Sequence, residues 1–156
     1  MKQTITTRPL KSFEDTVKEI ERLGKTYWTD LLLYPDICQM SPYDFFCFVK
    51  SLKYIADPKG EEYVTRPGHT LNFALSGNGH YFDCDDRSVL TISYFTMRNK
   101  ILNEDNKIKI IVSGRNLRPH HVYCDVNGKP FDPTYPYNVY QKNLFPEGFR
   151  KEFPLK

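Results

Sequence analysis

GHYFDCDDRSVLTISYFTMRNKIL, residues 79–102, decides how this chain is read, because it puts a cysteine where a helix should begin. Asp83, Asp85, Asp86 and Ser88 are helix-start residues. From Val89 the apolar positions Val89, Ile92, Phe95 or Met97 and Leu102 recur at roughly helical spacing. Cys84 then falls in the first turn, where unpaired N–H groups and the positive end of the helix dipole favour a thiolate. The three neighbouring carboxylates push the other way, so a nucleophilic Cys84 needs a base. A lone cysteine is more often a small buried apolar residue, and the rest of the chain must choose between the two readings.

A chain of 156 residues with 40% hydrophobic and 15% aromatic content suits one domain with a real core. A formal charge of +3, with Lys and Arg scattered among acids, argues against a nucleic-acid binder. The amino terminus lacks a basic-then-apolar signal pattern, and no apolar run approaches the roughly 20 residues that span a bilayer. These features predict a cytoplasmic protein without membrane association. Cys38, Cys47, Cys84 and Cys124 contain no C-x-x-C pair, which argues against a disulfide framework and a structural zinc site.

Upstream of the cysteine, residues 1–10 read as an extended lead-in. Ser12 and Asp15 resemble a capping box, Phe13, Val17, Ile20 and Leu23 repeat at helical spacing, and Gly24 is placed to end that helix. Trp28, Leu31, Leu32 and Leu33 suggest a short second helix stopping at Tyr34-Pro35. Ser41, Pro42 and Asp44 start a third, apolar nearly all round through Phe45, Phe46, Phe48, Val49 and Leu52, with Cys47 expected in its buried body. From Ala56 to Gly79, Pro58, Gly60, Pro67, Gly68, Gly77 and Gly79 punctuate an expected loop containing His69. His80, just beyond it, lies four residues before Cys84.

Downstream, Ile108–Val112 and His121–Val126 read as strands, and Asn127-Gly128 signals a two-residue type I′ hairpin turn. If that turn carries no bulge, Val126 faces Lys129 and Tyr123 faces Asp132. His121 shares a face with Tyr123, so Asp132 lies diagonally beside His121 at roughly 7–8 Å between backbones, a gap their side chains can close. His120 points to the other face. A His–Asp pair of this kind orients a base and fixes its tautomer. Asp132 reads equally as a turn former before Pro133, and a bulge near Pro130 or Pro133 would invert the parity.

The order Cys, His, Asp in the settings DCDDRSVL (83–90), HVYCDV (121–126) and DPTYP (132–136) resembles the transglutaminase-like branch of the papain-like cysteine enzymes. Within that branch it looks most like the short domains of bacteria and of phage or prophage genomes. YIADPKGEEYVTRPGHTL at 54–71 also resembles the segment preceding the cysteine in phage-type members. The resemblance covers about residues 54–136 and implies Cys84 as nucleophile, His121 as general base and acid, and Asp132 as the orienting acid. Members usually carry a glycine directly before the DCDD-like motif, whereas here His80, Tyr81 and Phe82 separate Gly79 from Asp83. The Cys84 N–H is a natural oxyanion donor, and the resemblance assigns no second one.

The expected architecture is α+β, a papain-like/transglutaminase-like core in which a central cysteine helix packs on a small antiparallel sheet. One domain fills residues 1–156: a helical part (1–53), a core bearing the motifs (54–136) and an aromatic tail (137–156). The implied activity is hydrolysis of, or acyl transfer from, a protein or peptide amide through a thioester, proteolysis and deamidation being placed ahead of cross-linking. No cofactor is implied, and a metal site built from Cys84, His121 and Asp132 lacks characteristic spacing. The alternative is a non-catalytic structural or adaptor protein of a phage virion that keeps the fold. Tyr137, Tyr140, Phe145, Phe149 and Phe153 in the tail would then contact other phage structural proteins. Among the cysteines, Cys84 is expected to alkylate fastest.

Overall fold

The computed structural model describes residues 12–57, 63–76, 82–114, 119, 121–134 and 148–156. Among them are five α-helices, one 3-10 helix and a four-stranded antiparallel sheet, an α+β arrangement. None of these helices is long and apolar enough to cross a membrane. The expectations for Tyr137, Tyr140, Phe145, His80 and His120 lie outside the described residues.

Local chemistry sets most helix starts. The Ser12 hydroxyl accepts the Asp15 N–H at 3.3 Å to open α1 (Phe13–Thr26), and Ser41 does the same for Asp44 at 3.1 Å to open α3 (Pro42–Ser51). Between them lie the 3-10 helix Trp28–Leu33 and the short α2 (Pro35–Cys38). Two expectations are corrected here. Gly24 does not end α1 but lies buried within it, where a Cβ would stand 2.7 Å from Ile92 Cγ2. It is a helix-crossing contact, pinned by the Ser93 hydroxyl donating to the Gly24 carbonyl at 3.1 Å. Gly24→Ala should therefore lower stability by about 1–3 kcal/mol through overpacking, read as a fall in the urea midpoint, and an unchanged midpoint would contradict the close crossing. Cys47 is exposed, because α3 turns Phe45, Phe46 and Val49 inward and leaves the Tyr43 and Cys47 side to solvent.

The expected loop over 56–79 contains a helix, α4 (Pro67–Ser76). An acceptor at its start comes from a residue distant in sequence, which hid the helix from a reading of sequence neighbours. The carboxylate of Asp30, in the 3-10 helix, accepts the Gly68 N–H at 2.9 Å and the Arg66 guanidinium at 2.7 and 2.9 Å.

The longest helix, α5 (Cys84–Ile101), is buried along most of its length between α1 and the sheet. It tolerates Ser88, Thr91 and Ser93 there because each hydroxyl donates to a carbonyl one turn back, on Cys84, Arg87 and Val89 respectively. The sheet runs β3 (Lys129–Phe131), β2 (His121–Val126), β1 (Ile108–Gly114), β4 (Phe149–Pro154). Asn127 and Gly128 have φ of 54° and 81°, the left-handed pair of a type I′ turn, and the register Val126–Lys129 and Cys124–Phe131 carries no bulge. Val122, Cys124 and Val126 face the core, and the Cys124 sulfur lies 3.9 Å from the Ser88 carbonyl of α5. Phe131 anchors β3, its ring meeting Phe46 and Phe95 edge-on at 5.3 and 5.2 Å. The residue that follows it is Asp132.

Candidate active site

Cys84 is the first residue of α5. Its N-cap Asp83 accepts the Asp85 N–H at 3.0 Å, and Asp86 Oδ2 accepts the Asp83 N–H at 3.1 Å in a reciprocal capping box. The second Asp86 oxygen accepts both the N–H and the hydroxyl of Thr65, at 3.2 and 3.0 Å. Two letters of the DCDD motif are thus consumed in building the helix start, which seats the Cys84 sulfur against strand β2. There the Val122 N–H is directed at it.

The β2–β3 hairpin joins His121 to Asp132 as the register requires, Nε2 to Oδ2 at 2.8 Å, both side chains being buried. The other Asp132 oxygen accepts the Thr134 N–H at 3.1 Å. Asp132 is therefore both the turn former and the partner of the imidazole. The structure bonds His121 directly to Asp132, and Val122, whose N–H is directed at the Cys84 sulfur, is the next residue along β2.

The electrostatics reverse one expectation. The helix start does not lower the Cys84 thiol. Burial, then the negative charges of Asp85 and Asp83, push it well above its ordinary value, and the Val122 N–H offsets only part of this. The Asp85 carboxylate lies 3.9 Å from the sulfur. The resting group is a thiol.

Behind the cysteine, Asp83 and Asp86 are both held protonated more readily than free carboxyls. Burial is the main cause for each, and for Asp83 the Asp86 charge and a hydrogen bond to Asp57 add to it. Such carboxyls bind their proton more tightly in the folded chain than in the unfolded one. Their stabilisation is complete below the usual value of 3.8 and is lost as pH rises through the folded value, about 9 for Asp83. Asp83→Asn keeps a cap acceptor and should flatten the decline of the urea midpoint between pH 5 and 9; an undiminished decline would sink this account.

Two further residues at the site escaped the reading of the chain. Arg87 is buried, donates to the Pro133 carbonyl at 2.7 Å and the Leu52 carbonyl at 2.9 Å, and lies over the Phe82 and Tyr54 rings at 5.3 and 5.4 Å. It ties the Asp132 turn and the 52–55 segment to the cysteine helix. The Tyr54 hydroxyl lies close enough to the N–H and the thiol of Cys84 to feel both. Its one sequence signal is position, at the start of the 54–71 segment that precedes the motif. His69, also considered in the sequence, is buried in α4 against the Phe73 ring. The metal set Cys84, His121 and Asp132 is not among the described groupings of convergent ligand atoms, where Asp83, Cys84 and Asp85 alone come together. Comparison with protein-family models, curated proteins and solved structures gives no match to this chain.

Proposed function

We propose that the chain is a transglutaminase-like cysteine hydrolase or acyltransferase with a papain-like core, acting on a protein or peptide amide through Cys84, His121 and Asp132. The observation that carries this reading is the 2.8 Å bond between His121 and Asp132, made one peptide unit from the strand N–H that meets the Cys84 sulfur. In the reaction His121 takes the thiol proton as sulfur bonds to the amide carbon, then delivers it to the departing nitrogen. Water or an amine resolves the thioester. Asp132 holds the imidazole in the tautomer that makes both transfers possible.

A casein digest incubated with the protein and hydroxylamine provides the test, since hydroxylamine converts thioesters into hydroxamates readable by mass spectrometry. Hydroxamates at new carboxyl termini would indicate proteolysis, and those at glutamine side chains deamidation or cross-linking chemistry. Both should vanish in Cys84→Ala. Products that persist in that variant would overturn the assignment. A second reading, a non-catalytic adaptor or structural protein of a phage particle that associates with other phage proteins, draws support from the crowding of carboxylates that keeps the thiol protonated. Absence of any Cys84-dependent product would favour it.

A further inference from the structure

We propose that the Tyr54 hydroxyl is the second donor of an oxyanion hole whose first donor is the backbone N–H of Cys84. This rests on the acyl-transfer reading above and adds to it the group that receives the developing negative charge.

The placement is built by contacts distant in sequence. Ile55 and Phe82 exchange two backbone hydrogen bonds of 2.8 Å each, an isolated antiparallel bridge that staples the 52–55 segment beside the start of α5. The Arg87 guanidinium holds the same segment through the Leu52 carbonyl and backs the Tyr54 ring. From there the phenol lies beside the start of α5, close enough to the Cys84 N–H and sulfur to feel both. A carbonyl whose carbon is bonding to that sulfur must put its oxygen at the same N–H, within reach of the phenol proton. The side chain is 45% exposed, so an incoming carbonyl can displace the resting contact. Burial is the main cause that raises the Tyr54 phenol above its usual value, so it retains the proton that a donor requires.

In the step itself the thiol proton passes to His121 and the S–C bond forms. The carbonyl π pair moves onto oxygen, where the Cys84 N–H and Tyr54 O–H stabilise it. Collapse of the oxyanion re-forms the carbonyl and breaks the bond to the leaving group, which takes the proton from His121. Tyr54 gives up no proton at any stage.

The test compares the full chain with Tyr54→Phe, using p-nitrophenyl acetate as acyl donor and intact-mass detection of acetyl-Cys84, with Cys84→Ala as the blank. Iodoacetamide labelling of Cys84 is the parallel measurement, since displacement at a saturated carbon creates no oxyanion. Tyr54→Phe should slow acetylation about 10²- to 10³-fold, the effect of removing one such donor, while alkylation stays within about twofold. Equal acetylation in both proteins overturns the proposal. Faster acetylation in the variant also overturns it, showing a hydroxyl that blocks the site, and a parallel fall of both rates would show a residue that merely positions Cys84. If the wild-type chain is not acetylated at Cys84 at all, the acyl-transfer reading itself fails and this assignment fails with it.

Discussion

His121→Ala is expected to slow acylation of Cys84 by p-nitrophenyl acetate about 10²- to 10⁴-fold near neutral pH, the span typical of losing a general base. The size follows from the state of the thiol. Burial, with the Asp85 charge, holds it protonated, so little thiolate is present at pH 7 to react unaided. Raising the pH should recover rate in His121→Ala as hydroxide replaces the missing base, while the wild-type rate rises less. His120→Ala is the control, because the hairpin register carries the carboxylate to 121. Iodoacetamide at pH 7 should label exposed Cys47 before Cys84, the reverse of the order expected from a helix-start thiolate. Equal losses from the two histidine variants, or a Cys84 that alkylates first and independently of His121, would remove the general-base role.

Deleting residues 149–156 is expected to cost about 3–5 kcal/mol and to lower the melting temperature by about 10 °C. Phe149 and Phe153 lie half-buried, edge-on to Phe13 at 5.6 and 6.4 Å, and Leu155 packs on the same core. Full burial of such side chains contributes roughly 1.5–3 kcal/mol each, so three partly buried ones give the lower figure. Loss of the β1–β4 ladder accounts for the rest, and each kcal/mol moves the midpoint of a domain this size by roughly 2–4 °C. This end of the tail belongs to the sheet of its own chain, pairing Ile110 with Phe153 and Gly114 with Phe149. Calorimetry beside size-exclusion would separate the roles. An unchanged melting temperature with lost association would return these residues to a partner surface.

Hydrogen bonds closed within three or four residues were legible in the sequence, and they determine the starts of α1, α3 and α5 and the turn at Asn127-Gly128. The same local logic reached the candidate site, because a two-residue turn and strict side-chain alternation set Asp132 opposite Tyr123 and diagonally beside His121 on one face. Features closed by distant residues were not legible. At the start of α4 the Gly68 N–H finds its acceptor, Asp30, in another element, and Gly24 resembles a helix stop until Ile92 is set against it. Likewise nothing in 52–57 announces that Tyr54 comes beside Cys84, which the Ile55–Phe82 bridge and the Arg87 contacts bring about. The charge state of the thiol belongs to this second class. A helix dipole is written in local sequence, but desolvation is a property of whatever the fold packs around the sulfur, and at Cys84 desolvation is the larger effect.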